Sequence, residues 1–260
     1  MLDTAELLAA YDEHMRPAEY LNIEDGVGVE RDGPVVRVFG RHQGFVSAPR
    51  DLGVEGAEAD RLIERQRDFF AARGESVEWK TRGHDLPTDL PERLVAAGFV
   101  AEERETLVIG VAAGIAAIPA PRPDGVEIRE VTSVDDFRRI AAMESEIWDM
   151  DLSWLADDLA GRAPYSRVLV AEADGEMVCA AWLVAKYGPR FARMWGGATR
   201  AEWRGKGIYR ALVAHRARLA VDQGVTYLQV DASDDSRPIL ERLGFLAVGT
   251  TTPYVWKPGR

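Results

Sequence analysis

The sequence of 260 residues is poor in the features that mark secreted, membrane and metal-binding proteins. A single cysteine, Cys179, excludes an internal disulfide and a metal site built from several thiolates. The longest apolar run, residues 107–118, is far shorter than the roughly 20 residues of a membrane helix. No basic segment precedes an apolar stretch at the start of the sequence. We therefore expect a cytoplasmic protein with no membrane partner and no metal.

Basic residues are also in the minority. Lys and Arg number 32 against 43 Asp and Glu, which gives a formal net charge of -11. General binding of nucleic acid needs a broad cationic face, so this balance predicts no nucleic-acid partner. Hydrophobic residues make up 47% of the sequence and charged residues 29%, a composition typical of folded domains with apolar cores.

A proline-rich connector at Pro119–Gly125 is the clearest break in composition. Cutting there leaves parts of about 120 and 135 residues, close to the usual size of a domain. The sequence thus predicts one domain over 1–118, a linker over 119–125 and a second domain over 126–260.

The second half alternates strands and helices. Ser133 is placed to cap a helix, and Asp174-Gly175 is a strong signal for a two-residue hairpin turn. The predicted strands are 126–131, 166–173, 177–187, 191–199, 225–230 and one or two within 245–256. One predicted helix begins after Ser133, and three more cover 152–159, 208–221 and 236–243. This order predicts an α/β fold with a mixed, mostly antiparallel sheet flanked by helices.

The first half resembles a degenerate copy of the second. Gly74 ends a helical pattern and a strand pattern follows, as happens at Gly224. The segment Pro91–Phe99 similarly resembles Pro238–Phe245, and both end in Gly-Phe. The shared order of three elements favours a duplication over a chance match.

The segment Thr199–Leu212 carries the clearest chemical signal. A strand leads into a turn containing Gly205 and Gly207, and a helix begins directly afterwards. Backbone N–H groups at such a helix start form a site for an anion such as phosphate. Six basic residues lie in or beside it: Arg200, Arg204, Lys206, Arg210, Arg216 and Arg218. The alternative is that these basic residues form a solvated helix face beside an ordinary turn, with no ligand.

Arg204-Gly-Lys-Gly-Ile resembles the Arg/Gln-x-x-Gly-x-Gly/Ala signature of the GCN5-related N-acetyltransferase (GNAT) family. Leu243-Gly-Phe245 matches the family's ending of its fourth helix, and the resemblance covers about 126–256. Tyr209 departs from the signature, which has a small residue there, and its side chain must point away from the pyrophosphate. The whole chain then reads as two GNAT-like domains, of which the first is degenerate.

The resemblance implies that acetyl-coenzyme A is the co-substrate. Its pyrophosphate would lie on the N–H groups of Gly205, Lys206, Gly207, Ile208 and Tyr209, with charge from Arg204, Lys206 and Arg210. The pantetheine arm would pair with the strand at Gly197, Ala198 and Thr199, and Ser236 would contact the cofactor. An amine would attack the thioester directly, which makes the protein an acyltransferase.

The sequence points less clearly to the general acid and the general base of this reaction. In many family members a tyrosine on the fourth helix is the acid, but Leu240 stands at that position. Tyr254 and Tyr187 are alternatives, as is protonation of the thiolate by water. Glu202 and Asp231 are candidate bases, although either is also explained as an acid in a solvated loop or turn. Cys179, mid-strand among apolar residues, reads as a core residue rather than an acetyl carrier.

The resemblance places the acceptor near the connection between the first two helices of the second half. Glu146, Trp148, Asp149 and Asp151 there suit a cationic amine, by charge and by cation–π contact. The alternative is a helix end with solvated acids. The acceptor is expected to be a small-molecule or peptide amine, and the protein a monomer or homodimer.

In the first half the corresponding phosphate turn falls at residues 48–56, where Glu55 takes the last small position. Asp51 and Glu58 add negative charge, so this half is expected to bind no coenzyme A. It would instead complete the acceptor cleft or form a dimer. Two alternatives to an enzyme remain open: a catalytically silent acyl-coenzyme A sensor, and an interaction module that kept only the fold.

Overall fold

A computed structural model describes residues 3–21, 26–121 and 123–259, so Arg122 of the predicted linker lies outside the described residues. The contacts divide the chain into two units. The first consists of residues 1–108, 231–237 and 247–260, and the second of residues 109–230 and 238–246. The division therefore does not follow the proline-rich connector. The end of the chain belongs to the first unit because its last strand pairs there.

The first unit is built on a mixed sheet. Its elements are α1 (Thr4–Ala10), β1 (Gly28–Asp32), β2 (Val35–Phe39), β3 (Gly44–Ser47), α2 (Gly56–Arg73), β4 (Val77–Arg82), α3 (Leu90–Ala96), β5 (Val100–Ala101), most of β6 (Glu105–Val111) and β12 (Leu246–Trp256). The strand order is β1-β2-β3-β4-β12, and β5 and β6 both pair with β12. Only the pairing of β3 with β4 is parallel among those with a described register.

The second unit repeats this design. Its elements are α4 (Ala112–Ala116), β7 (Val126–Val131), α5 (Val134–Trp148), α6 (Leu155–Arg162), β8 (Ser166–Ala173), β9 (Glu176–Val184), β10 (Phe191–Thr199), α7 (Ile208–Asp222), most of β11 (Tyr227–Ala232) and most of α8 (Arg237–Arg242). The strand order is β11-β10-β9-β8-β7. Strand β10 is parallel to β11 and the other pairs are antiparallel. The predicted mixed, mostly antiparallel sheet with flanking helices is confirmed.

The predicted resemblance between the two halves can be compared in individual hydrogen bonds. Helices α2 and α7 each precede a strand parallel to the one before the helix. The Gly74 N–H donates to Ala71 at 3.1 Å, and the Gly224 N–H donates to Val221 at 2.9 Å. Both helices thus end in the same way.

The two Gly-Phe segments also match. The Phe99 N–H donates to the Leu94 carbonyl at 3.0 Å, and the Phe245 N–H donates to the Leu240 carbonyl at 3.1 Å. The chain therefore leaves α3 and α8 by the same turn, which supports the predicted resemblance between the two halves.

Most predicted boundaries in the second unit agree with the structure. Strands β7, β8 and β10 match residue for residue, and the Ser133 hydroxyl accepts the Asp136 N–H at 3.1 Å, as expected of a helix cap. Helix α6 begins three residues later than predicted. The preceding turn is held by Asp151, whose carboxylate accepts the Ser153 N–H at 2.9 Å.

Each unit has its own apolar core. In the first unit Trp79 and Phe70 are fully buried beside Tyr254. In the second, Ile208 and Leu212 of α7 pack against strands β8 and β9, beside Cys179. Cys179 is fully buried, and burial raises the pKa of its thiol to about 12, which suits a core residue and not a nucleophile.

Candidate functional site

Two glycines determine the backbone conformation of the bend between β10 and α7. Gly205 has φ 74° and Gly207, which caps α7, has φ 84°. A Cβ atom at either position would meet no atom within 4 Å. These glycines are therefore needed for their left-handed conformation and not for close packing. The bend is exposed and open to a ligand.

The start of α7 presents N–H donors at this bend. The first hydrogen bond within the helix runs from the Ala211 N–H to the Gly207 carbonyl, at 3.0 Å. The N–H groups of Ile208, Tyr209 and Arg210 come before it and have no acceptor within the helix. Together with the positive end of the helix dipole, they form a site suited to an anion.

Three of the six basic residues are exposed on this bend: Arg204, Lys206 and Arg210. The Lys206 ammonium lies 4.1 Å from the centre of the Trp203 ring. The Arg204 side chain donates to the Thr199 carbonyl at 3.0 Å, which ties the bend to the end of β10. The local charge is therefore positive, in a chain that is strongly acidic overall.

The other three basic residues have different roles. Arg200 forms an ion pair with Glu146 at 2.7 Å. Arg216 is 1% exposed and donates to the Trp195 carbonyl of β10 at 2.9 Å, while Arg218 donates to the Ala116 carbonyl. The run of basic residues in the sequence therefore contributes only in part to an anion site.

Tyr209 packs on β10. A Cβ atom built on Gly197 would lie 2.5 Å from the Tyr209 ring, so the ring occupies the space where a side chain at residue 197 would stand. Burial raises the pKa of the Tyr209 phenol. The structure thus places a large side chain at the signature's small position by pairing it with a glycine.

Strand β10 is irregular where the pantetheine arm is expected. Gly196 and Gly197 have φ 68° and 104°, and the register with β9 shifts between Gly196 and Thr199. The described pairing with β11 ends at Arg193. Beyond that residue the β11-facing edge of β10 is described in no strand pairing, and the bulge and open edge suit the close approach of an extended ligand.

The predicted catalytic residues fall in different places. Glu202 is exposed in the 3-10 turn before the bend. Asp231 belongs to the first unit, where the Lys80 ammonium lies 3.1 Å from its carboxylate, and both side chains are largely buried. This pairing favours a structural role for Asp231, because a base has to be free to accept a proton.

Tyr254 and Ser236 also belong to the first unit. Tyr254 is 8% exposed, packs in that unit's core and pairs with Trp79 across the β4–β12 ladder. Burial raises the pKa of its phenol. The Ser236 hydroxyl donates to the Ser233 carbonyl at 3.3 Å in the turn before α8. Neither residue is placed in the same unit as the Arg204–Tyr209 bend.

The predicted acceptor residues lie together at the end of α5. Glu146 pairs with Arg200, and Trp148 is 60% exposed. Asp149 closes the helix with φ 51°, and Asp151 holds the next turn. The arrangement leaves an aromatic ring and several acids on one short surface of the second unit.

Sequence reasoning did not single out Glu144, an acid that the structure buries in the second unit. It lies on α5 and is 4% exposed, and burial raises the pKa of its carboxyl to about 7. The Trp148 indole N–H donates to Oε2 at 2.8 Å, whereas Oε1 is buried without a hydrogen-bond partner among the described residues. The signal was present, since Glu144 falls at helical spacing with Phe137 and Ile140 on an apolar face.

The corresponding turn of the first unit is occupied by the protein's own groups. The Asp51 carboxylate accepts the Gly53 N–H at 2.8 Å. Leu52 and Arg50 bond to Leu86 through their backbones, and the Ala48 carbonyl accepts from the buried Arg16 side chain at 3.0 Å. These contacts use backbone groups that a phosphate or a pantetheine arm would need.

Within residues 3–21, 26–121 and 123–259, the His, Cys, Asp and Glu side chains form no group of three or more that could hold a metal ion. No helix in these ranges has both the length and the apolar character needed to cross a bilayer.

Comparison with solved structures shows that the fold is shared over the whole chain. A GCN5-related N-acetyltransferase from Kribbella flavida has a TM-score of 0.69 at 19% identity, covering 100% of this chain and 97% of that one. One from Sphaerobacter thermophilus has 0.62 at 15% identity, covering 98% and 86%. A tandem GNAT protein from the clavulanic acid biosynthesis pathway has 0.61 at 14% identity, covering 91% and 85%.

The comparison of sequences adds a match to one family model over part of the chain. A search of curated proteins gave no significant match. Residues 127–245, which contain the glycine-bulged β10, the open bend and α7, match the model of the Acetyltransferase (GNAT) family. This segment of the chain is therefore similar to the GNAT family of acetyltransferases.

Proposed function

We propose that the protein is an acetyl-coenzyme A-dependent N-acetyltransferase that moves the acetyl group to an amine by direct attack on the thioester. The observation that carries this proposal is the open bend Arg204–Tyr209 at the start of α7, within the segment that matches the family model. Its shape and positive charge fit a diphosphate.

The co-substrate is held by main-chain and side-chain groups of the second unit. The N–H groups of residues 205–209 bind the pyrophosphate, and Arg204, Lys206 and Arg210 add positive charge. The pantetheine arm pairs with the exposed edge of β10 at residues 197–199. A backbone N–H of this strand stabilises the oxyanion that forms when the amine attacks.

Proton transfer needs a base for the amine and a donor for the departing thiolate. Of the two bases predicted from the sequence, Glu202 is exposed and belongs to the second unit, whereas Asp231 belongs to the first. Leu240, at the position of the usual tyrosine, is fully buried. With Tyr254 packed in the other unit's core, the thiolate takes its proton from water or from the amine itself.

A catalytically silent acyl-coenzyme A sensor is the second candidate. The buried Leu240 and the packed Tyr254 favour it, because both remove a conventional acid. A sensor binds acetyl-coenzyme A without turnover across a broad panel of amines. An interaction module that kept only the fold binds no coenzyme A.

The first unit is proposed to bind no coenzyme A. Asp51 and the backbone pairing with Leu86 already satisfy the groups that a ligand would use. Calorimetry is therefore expected to give one acetyl-coenzyme A per chain.

The test is a pair of matched substitutions. Gly207→Glu places a carboxylate against the pyrophosphate and is expected to abolish binding of acetyl-coenzyme A in calorimetry. Gly53→Glu is the control, because Gly53 also has a left-handed φ and open space but lies in the first unit's turn. Unchanged affinity in Gly207→Glu, or equal losses in both variants, contradicts the assignment of the bend.

Activity is measured as thiol release from acetyl-coenzyme A over polyamines, amino acids, aminoglycosides, simple alkylamines and peptide N-termini. Amine-dependent release that disappears in Gly207→Glu supports the transferase. Binding without release across the panel supports the sensor.

A further inference from the structure

Glu144 has a carboxylate oxygen that lacks the hydrogen bond its burial calls for. One oxygen accepts the Trp148 indole N–H, and the other, Oε1, is buried without a hydrogen-bond partner among the described residues. A buried acceptor left unsatisfied costs free energy, and such groups in native proteins call for an explanation. A donor supplied by a ligand would satisfy Oε1.

The carboxylate lies near the bulged end of β10. Helix α5 packs against β9 and β10, and its last turn is fixed to the residue after β10 by the Glu146–Arg200 ion pair. The charge of Glu144 also reaches Cys179, raising the pKa of that thiol, and Cys179 is the register partner of Thr199. Glu144 is therefore close to the strand segment where the proposed function places the thioester.

The carboxylate is in contact with one exposed side chain. Trp148 is 60% exposed and its indole N–H reaches Oε2, so Glu144 lies just beneath the surface at the end of α5. Because Trp148 is so exposed, a rotation of its ring towards solvent would break little packing. The neighbouring Met150 is also exposed, at 58%.

The surroundings favour a cation and disfavour an anion. Glu146, Asp149 and Asp151 share this helix end, and the nearby Arg200 is paired with Glu146. From the elements packed against α5, Cys179 on β9 has a raised pKa and is neutral, and Asp158 on α6 is paired with Arg162. A ligand carrying a carboxylate beside its amine would be repelled by these acids.

We propose, on the basis of the proposed function, that Glu144 is the base for the acceptor, which is a primary amine with an apolar stem and no carboxylate next to the amine. Its Oε1 accepts a hydrogen bond from the incoming ammonium and takes one proton. The freed lone pair of the nitrogen then forms the C–N bond to the thioester carbonyl carbon.

The remaining steps balance without another reactant. The tetrahedral adduct breaks its C–S bond, and the electron pair leaves with sulfur as the coenzyme A thiolate. The second amine proton passes to this thiolate, which gives the amide and free coenzyme A. Glu144 returns its proton to water.

The pKa of Glu144 supports this role in addition to the geometry. Burial raises it to about 7, while the hydrogen bond from Trp148 lowers it. A base with a pKa near the working pH is ionised in a useful fraction of molecules and still accepts a proton readily.

The experiment uses the full chain with phenethylamine as the probe and phenylalanine as its carboxylate-bearing match. Glu144→Gln keeps the side-chain shape and its amide oxygen still accepts from Trp148, so the fold and the affinity for acetyl-coenzyme A are expected to persist. Its kcat/KM for phenethylamine is expected to fall at least about 100-fold. The control is Asp135→Asn, an exposed acid on the first turn of the same helix.

The pH profile separates a base from a structural group. In the wild type, kcat/KM is expected to rise with an apparent pKa near 7, and this limb is expected to be absent in Glu144→Gln and unchanged in Asp135→Asn. Trp148→Phe removes the hydrogen bond that lowers the pKa, so its limb is expected to move to higher pH. Wild-type turnover of phenylalanine is expected to be at least about 10-fold slower than that of phenethylamine.

Each possible result of these experiments contradicts a different part of the proposal. A wild-type chain that does not bind acetyl-coenzyme A overturns the proposed function itself. Binding without phenethylamine-dependent thiol release, or equal turnover of phenylalanine, overturns the assignment of the acceptor. A Glu144→Gln variant that keeps the wild-type rate and pH profile overturns the role of Glu144.

Discussion

At the scale of single residues, the ionisation of Glu144 has a consequence for stability. Its folded-state pKa of about 7 lies above its ordinary value of 4.5. Below pH 4.5 the group is protonated in both states and has no effect. Between these values the unfolded chain releases the proton and the folded chain retains it, so the free energy of unfolding falls as the pH rises.

Glu144→Gln is expected to remove this penalty. The variant should match the wild type near pH 4.5 and exceed it at pH 8 by up to about 3 kcal/mol, from 1.36 kcal/mol for each pKa unit. Urea unfolding at both pH values measures the difference. A variant that is less stable than the wild type at pH 8 would show that the carboxylate is satisfied in solution by a partner that the structure lacks.

Single residues also show where sequence reasoning stops. The loop Arg204–Tyr209 could be predicted because glycine spacing and charge are local properties of the sequence. The Lys80–Asp231 pair and the packing of Tyr254 could not, because they depend on which segments meet across more than 150 residues. The sequence places Glu144 as an acid on an apolar helix face, but the spacing does not show whether its carboxylate has a hydrogen-bond or ion-pair partner.

At the scale of elements, helix α7 and strand β10 fit together through Gly197 and Tyr209. A side chain at 197 would collide with the Tyr209 ring and would also have to adopt a left-handed φ of 104°. Gly197→Ala is therefore expected to destabilise the fold by about 1–3 kcal/mol.

The double variant Gly197→Ala/Tyr209→Ala separates the two causes. Tyr209→Ala removes the collision but leaves the backbone strain, so the double variant should be more stable than the sum of the two single losses predicts. A coupling free energy of about 0.5–3 kcal/mol in urea unfolding is expected. Additive losses would show that the strain alone accounts for the effect.

At this scale the sequence was informative for regular elements. Periodicity and turn residues placed strands β7, β8 and β10 residue for residue. The start of α6 was missed because a carboxylate-to-backbone bond at Asp151 prolongs the preceding turn. Such a bond competes with helix formation and leaves no periodic signal.

At the scale of the whole molecule, the pairing of strand β12 determines which fragments of the chain can fold on their own. Residues Thr251–Trp256 of β12 pair with Arg82–Val77 of β4, and Ala101 and Val100 of β5 pair with Tyr254 and Val255. A fragment of residues 126–260 carries β12 without these partners. We expect it to unfold at lower urea concentration than the second unit of the full chain, and to be cut by protease near residues 247–260.

The comparison is made by limited proteolysis and by circular dichroism on the fragment and the full chain. A fragment that resists protease and unfolds at the same urea concentration would show that the cut predicted at the proline-rich connector does separate independent domains. Composition carries no information on which sheet strand β12 joins.

The position of β12 also sets an order for biosynthesis. This strand lies between β4 and β6 in the first unit's sheet, yet it follows every strand of the second unit in the sequence. The first unit's sheet thus remains incomplete while strands β7–β11 are made, because β4 lacks its neighbour β12 until then. The nascent chain can complete this sheet only after β12 has left the ribosome, so chaperones that shield exposed strand edges have a long opportunity to bind the first unit.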